Sequence, residues 1–233
     1  MGNNNYVIVG GSSGIGLKLV EKLVAENANV WVVSRTSDSL QHIPAVTHIP
    51  LDVTIDEVDK GDLPDSIDGL VYCPGSINLK PFRSLKSAQF QEDFEINVLG
   101  AVKILQTAQR KFKKGASSVV LFSTVAVAQG MPFHASVAAS KGAVEGLTRS
   151  LAAEWAPNIR VNCIAPSLTN TPMAGRLLST PEKVELSGNR HPLKRVGTAD
   201  EMADLAVFLL SGKSSWITGQ VIGVDGGLST LNI

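Results

Sequence analysis

A doubly wound α/β domain is the fold this sequence predicts, and three observations predict it. Seven short runs rich in β-branched and apolar residues recur along the chain, at 6–9, 30–33, 46–51, 70–73, 119–122, 159–164 and 221–224. Each is apolar nearly throughout, which signals strands covered on both faces, the habit of a parallel sheet. Longer segments of helical period separate the runs, and a glycine-rich turn joins the first run to the first such segment.

Taken in order, the first strand leads into a helix over 15–26, whose Leu17, Val20, Leu23 and Val24 form an apolar stripe. About a dozen residues separate the second strand from the third and about fifteen the third from the fourth, so one or two helical turns are expected in each crossover. Segments 88–113 and 133–155 predict long helices. The stretch 167–197, rich in Pro, Ser, Thr and charge, leaves the carboxyl end of the sixth strand, where substrate lids sit on such sheets; a surface loop without function is the alternative. Thr180-Pro181 is a helix start inside it, and Thr198 opens the last long helix with a capping box to Glu201.

Composition narrows the function classes. The 233 residues carry 21 Lys and Arg against 21 Asp and Glu, with 44% hydrophobic residues. Such a chain is neither disordered nor dependent on a metal or disulfide to fold. Zero formal charge leaves no basic excess to displace counterions, which argues against nucleic acid or a membrane surface as partner. Cys73 and Cys163 lie in apolar runs, as inert core thiols do, and this usage fits a reducing compartment. Residues 1–6 lack signal-peptide character, Tyr6 stands where a Gly2 lipidation signal wants Ser or Thr, and no apolar run reaches the roughly 20 residues that span a bilayer. A soluble cytoplasmic protein is expected, one domain over 1–233, since no repeat or linker divides it.

The first turn reads Gly10-Gly11-Ser12-Ser13-Gly14-Ile15-Gly16. Glycines there let the backbone approach a pyrophosphate, whose charge is met by free N–H groups and the positive end of the helix dipole. No Gly-Lys-Ser/Thr follows, so this is not a nucleoside-triphosphate loop. At the end of the second strand a carboxylate would pair with an adenosine ribose 2′-hydroxyl, but the chain has Ser34-Arg35-Thr36 and no acid before Asp38. A guanidinium flanked by hydroxyls suits a 2′-phosphate and predicts NADP(H) in preference to NAD(H); a solvated strand-end charge is the other reading of Arg35.

The spacing of Gly10, Gly14 and Gly16 resembles the GxxxGxG motif of the short-chain dehydrogenase/reductase family, and the resemblance covers nearly the whole chain. It implies a Rossmann-type seven-stranded parallel sheet with helices on both faces, a nicotinamide dinucleotide, a small-molecule substrate, and a homo-oligomer, dimer or tetramer. By the same resemblance Asp52 and Val53, in Leu51-Asp52-Val53, are the adenine contact. Asn97 matches the helix asparagine that supports a proton-relay water, and Gly75 is what remains of the family's NNAG in Tyr72-Cys73-Pro74-Gly75. Ser123-Thr124 stands at the catalytic serine, with Thr124 in register, and Lys141 matches the lysine of YxxxK. Pro166 and Thr171 belong to a PGxxxT-like segment whose threonine meets the nicotinamide carboxamide. Ile217-Thr218-Gly219-Gln220 and Val224-Asp225-Gly226-Gly227 resemble elements near family subunit interfaces, as do the two long helices.

The catalytic tyrosine of YxxxK is Val137 here. Tyr6 and Tyr72, the two tyrosines of the chain, both lie on strands. Carbonyl reduction by hydride needs a proton for the developing alkoxide, so another donor is required. His134 stands seven residues before Lys141, where a helix would put it on the same face as Val137 and Lys141. That spacing resembles the YxxxxxxK of the superfamily's enoyl-thioester reductases, with imidazole for phenol, although a capping, packing or interface role for His134 is the alternative. Ser123 and Thr124 can hold a carbonyl oxygen, Lys141 is expected to bind the nicotinamide ribose, and His191 reads as a loop residue. His42 and His48 lie far from the reacting end. Leu168, Met173, Leu177, Leu178 and Leu186 in the lid suggest a substrate with an apolar body. The sequence thus predicts an NADP(H)-dependent oxidoreductase acting on a carbonyl, alcohol or activated alkene; the alternative is a weakly active or inactive NADP(H)-binding sensor or scaffold.

Overall fold

A computed structural model describes residues 4–115 and 117–232. The leader and lipidation patterns read at residues 1–6 fall partly on 1–3, outside the described residues. The strands are β1 (Asn5–Val9), β2 (Asn29–Ser34), β3 (Val46–Pro50), β4 (Gly69–Tyr72), β5 (Ser117–Phe122), β6 (Ile159–Pro166), β7 (Thr169–Asn170), β8 (Gly197–Thr198) and β9 (Val221–Val224). Seven of them form one parallel sheet in the order β3-β2-β1-β4-β5-β6-β9, and β7 and β8 pair as a separate ribbon. The chain winds outward from β1 to β3, then restarts at β4 on the other side. The crevice between β1 and β4 is therefore the switch point, where open sheets of this class bind ligands.

Helices α1 (Gly14–Ala25), α2 (Ser87–Phe94), α3 (Gly100–Ala108), α4 (Ala126–Gln129), α5 (Ala135–Trp155), α6 (Pro181–Asn189) and α7 (Ala199–Leu210) complete the fold. Strand alternation sorts the core into two layers. Val7, Val9, Leu70, Val119, Leu121 and Val161 pack with Ile104, Leu105 and Val144 of α3 and α5 on one face. Tyr6, Ile8, Val32, Val71, Val120 and Ile164 pack with Leu19, Leu23, Met202 and Leu209 of α1 and α7 on the other. Each fully buried aliphatic side chain in these layers is worth about 2 kcal/mol, and both faces of the sheet are covered, as the continuous apolar runs require. The two short crossovers hold only the single 3-10 turns Asp38–Leu40 and Lys60–Asp62. Thr198 caps α7 and Thr180 caps α6, the first in a full capping box with Glu201. Among the described residues no helix is long and apolar enough to cross a membrane.

Two expectations are corrected. The helix expected over 88–113 is not continuous: α2 ends at Phe94, a π-helical turn spans Glu95–Leu99, and α3 restarts at Gly100. A π turn leaves a backbone carbonyl without its usual partner, and the Tyr72 hydroxyl donates to Ile96 O at 2.6 Å. Gly100 permits that approach, because a Cβ there would stand 2.3 Å from Tyr72 Oη. The helix expected over 133–155 starts at Ala135 instead. Phe133 has φ 70° and His134 is the N-cap, at φ −97° and ψ 9°, so the assumption of helical backbone at His134 fails.

Candidate active site

The turn from β1 to α1 and the segment Cys73-Pro74-Gly75 after β4 meet at the switch point, where Gly10 packs against the Pro74 ring. Gly16 starts the helix so close over the turn that a Cβ there would lie 2.3 Å from Gly10 O, a position only glycine can fill. Ser13 makes no side-chain cap bond and the first turn of α1 holds no acid, so nothing anionic competes for the helix N-terminus. Thr171 folds over from the segment after β6, its Cβ 3.5 Å from where a Gly14 Cβ would be. Thr171 and Gly14 thus come together over the N-terminus of α1, where unpaired backbone N–H groups and the helix dipole favour an anion.

Arg35 extends from the carboxyl tip of β2 with 78% of its side chain exposed, 3.9 Å from Asp52 at its nearest. Asp52 accepts from the hydroxyl and the backbone N–H of Thr54, at 2.6 and 2.9 Å, and these bonds hold its carboxyl below the usual range. Val53 is core, packed beside Gly100. The expectation that Ser34 helps hold an anion is corrected. Its buried hydroxyl donates to Thr36 O at 2.8 Å and lies 3.1 Å from His48 Nε2, leaving Arg35 and Thr36 as the exposed groups. His48 is spent on Ser34, and His42 is exposed in the crossover.

Lys141 lies on α5, buried against the end of β5. Its ammonium is buried and donates to Phe122 O, at the carboxyl end of β5, at 2.9 Å. Burial brings it down from 10.5 to about 8, against the opposing pull of nearby acidic groups. Asn97, in the π turn, directs both hydrogens of its amide inward, to Ser140 Oγ at 2.9 Å and Ser76 Oγ at 3.2 Å. Its Oδ1 is buried without a partner. A Cβ on Gly75 would stand 3.2 Å from that oxygen and 3.3 Å from Lys141 Nζ. An unpartnered acceptor and a buried ammonium therefore flank one point beside Gly75.

Around this pair the expected catalytic groups separate. Ser123 is turned away, its hydroxyl donating to Glu145 Oε1 at 2.9 Å inside the protein, so its expected place in the site is corrected. Thr124 keeps a half-buried hydroxyl that accepts from Ala126 N at 3.3 Å and still has its own hydrogen to give. Val137 is buried one turn before Lys141 and offers only methyl groups. The His134 ring bonds to Pro132 O through Nδ1 at 2.8 Å; among the described residues it makes no hydrogen bond to Lys141, Thr124 or Asn97. Pro166 ends β6 and accepts from Val125 N at 3.1 Å, fixing the start of the segment 167–197.

Sequence reasoning missed a polar cluster beneath Asn97. Asp93, fully buried on α2, accepts from Ser76 at 2.5 Å, Asn78 at 2.7 Å and Ser136 at 2.5 Å. Nothing in the run Gln89-Phe90-Gln91-Glu92-Asp93 distinguishes this acid from its exposed neighbour Glu92. Only the π turn and the approach of α5 bury it. His191 lies in the loop after α6, as its position suggests, and ties the segment 167–197 together: it is 3% exposed, with Nε2 2.8 Å from Ser167 Oγ and Nδ1 2.9 Å from Ser187 O. Met173 and Leu186 project from the same segment half or more exposed, while Leu168, Leu177 and Leu178 are half-buried.

Residues 9–229 match a family model described as enoyl-(acyl carrier protein) reductase. The chain is 35% identical to a tropinone reductase homolog of Arabidopsis thaliana, over 97% of this chain and 92% of that protein. It is 31% identical to L-xylulose reductase of Bos taurus, over 95% of this chain and 94% of that protein. Its structure is similar to that of aldohexose dehydrogenase of Thermoplasma acidophilum in ligand-free form, with a TM-score of 0.88 and 28% identity over 99% of this chain and 96% of the other.

Proposed function

This chain belongs to the short-chain dehydrogenase/reductase family of NAD(P)(H)-binding oxidoreductases, and on that premise we propose that it is an NADP(H)-dependent enzyme whose reaction runs without a catalytic tyrosine. Its substrate is a small molecule with a carbonyl, alcohol or activated alkene. The observation that carries this reading is the pairing of a buried, hydrogen-bonded Lys141 with the unpartnered Oδ1 of Asn97 across Gly75.

When bound, NADPH supplies the hydride. The residues then have separate tasks. The α1 N-terminus and the glycine turn hold the diphosphate, and Arg35 with Thr36 takes the 2′-phosphate in a charge-assisted pair. Thr124 donates its free hydrogen to the substrate oxygen and steadies the charge that develops there. The Lys141 ammonium donates a proton through water held against Asn97 Oδ1, and a value of about 8 suits a group that must be protonated at working pH yet able to release. His134 is the alternative donor, and its cap position with the ring bonded to Pro132 O favours a structural role. Val137 excludes bulk water from this end of the helix. The names of the relatives, a tropinone reductase homolog and L-xylulose reductase, support carbonyl chemistry. Trp216, 99% exposed beside the Ile217-Thr218-Gly219-Gln220 segment, supports a homo-oligomer through that edge.

The test is NADPH oxidation by the purified protein against ketones, quinones and enoyl thioesters. Turnover with at least one class is expected; tight NADPH binding with no turnover in any class would leave the protein as a nucleotide-binding module.

A further inference from the structure

Resting on that reading, we infer that Asp93 is a positioning residue: acting through Ser76, its carboxylate fixes the amide of Asn97 so that the amide oxygen faces Lys141. The hydrogen-bond directions require it. Ser76 gives its hydrogen to Asp93 Oδ1 and so can only accept from Asn97. Ser140 gives its hydrogen to Val137 O at 3.1 Å and is likewise left as an acceptor. A flipped amide would set its oxygen against two oxygens that have no hydrogen to offer, and would turn its NH2 toward the ammonium. Through Ser76 the carboxylate thus acts together with Ser140 to set which end of Asn97 meets Lys141, although Asp93 itself touches neither Asn97 nor Lys141 in any hydrogen bond among the described residues.

The charge of Asp93 acts in the same direction. The groups that act on Lys141 from the elements packed around it are Cys163 on β6, Cys73 after β4 and Asp93 on α2. Burial pushes both thiols up to about 12, so they are neutral, and Asp93 is the one carboxylate among the three. Glu145, one turn beyond Lys141, is engaged by Ser123 and Arg149. Asp93 also accepts from Ser136, the residue before Val137, and so ties α2 to the first turn of α5. Orientation and charge together favour the protonated form of Lys141, which is the form the proposed proton delivery uses.

The experiment is the titration of Lys141 in the free protein, followed by 13Cε NMR, together with the pH dependence of kcat, in wild type, Asp93→Asn and Ser76→Ala. Asp93→Asn removes the charge and lets Ser76 reverse its hydrogen; the Lys141 titration is expected to move below about 8, the basic limb of kcat to move with it, and kcat to fall about tenfold or more while KM for NADPH stays within about twofold. Ser76→Ala keeps the charge but releases the amide, giving the same fall in kcat with a smaller shift. If Asp93→Asn fails to fold, Ser76→Ala decides alone, and an unchanged kcat in it overturns the inference. Folded variants that lose thermal stability but keep the wild-type Lys141 titration overturn it as well. Should the wild type prove inactive, the functional reading fails while the NMR titration still decides the role of Asp93.

Discussion

The Tyr72 hydroxyl donates to the Ile96 carbonyl at 2.6 Å, and through that bond a strand residue holds open the π turn that carries Asn97. Tyr72→Phe removes the donor and leaves the half-buried carbonyl without it, a loss of about 1 kcal/mol in stability. Since Asn97 sits on the same turn, kcat should fall by more than KM rises. Denaturant unfolding and steady-state kinetics on the same preparation check both halves, and a variant equal to wild type in both would remove the turn from the account.

Lys141 is held below its ordinary value by burial, and its active form is the ammonium. The rate of reduction should therefore decline as pH rises through about 8. Stability runs the other way. Between about 8 and 10.5 the unfolded chain keeps a proton that the folded chain has released, so folding is favoured increasingly as pH rises across that window. Lys141→Met should abolish turnover, keep the fold and flatten this part of the stability curve, which thermal melts from pH 7 to 11 would reveal.

Arg35 is solvent-exposed and only loosely paired with Asp52. Arg35→Ser should weaken NADPH binding about tenfold or more, the worth of a charge-assisted hydrogen bond, and leave NADH within about twofold. Titration with each cofactor measures the ratio. Equal losses for both would mean that the arginine does not read the 2′-phosphate.

Glu201 closes the α7 capping box and takes Arg195 in a two-pronged pair at 2.5 and 2.9 Å. The Arg195 bonds, with the Thr198 backbone N–H, bring its carboxyl down to about 2. The stabilisation is complete above the ordinary carboxylate value of 4.5 and is lost as pH falls toward 2. Thr198→Ala should cost about 1 kcal/mol at neutral pH, measurable by urea unfolding. Much of the ion pair is exposed, so Arg195→Ala should cost less than a buried pair would.

What could be read from the chain and what could not divide along physical lines. The sheet, the cradle formed by Gly10, Gly14 and Gly16, and the caps at Thr180 and Thr198 were legible, because each rests on local pattern: strand burial, backbone clearance, a side chain three residues from its partner. The π turn at Glu95–Leu99 was not, since its stabilising bond comes from Tyr72, far away in sequence. Asp93 was invisible for the same reason, its three donors lying on other segments. The spacing puts Thr124 in register with the serine position and leaves Ser123 beside it, but the bond that commits the Ser123 hydroxyl to Glu145 comes from α5 and could not be read from the local sequence. His134 was placed on a helical face by counting; the left-handed Phe133 before it moves the helix start by two residues and makes the histidine a cap.

The central claim, that hydride chemistry proceeds here with valine in place of the tyrosine, is tested most directly by label transfer from NADPH deuterated at C4, using carbonyl and enoyl-thioester substrates and reading the product by mass spectrometry. Wild-type protein should yield deuterated product, and His134→Gln should yield it at a comparable rate. A wild type that binds NADPH yet gives no labelled product with any substrate, while Val137→Tyr does, would contradict the claim.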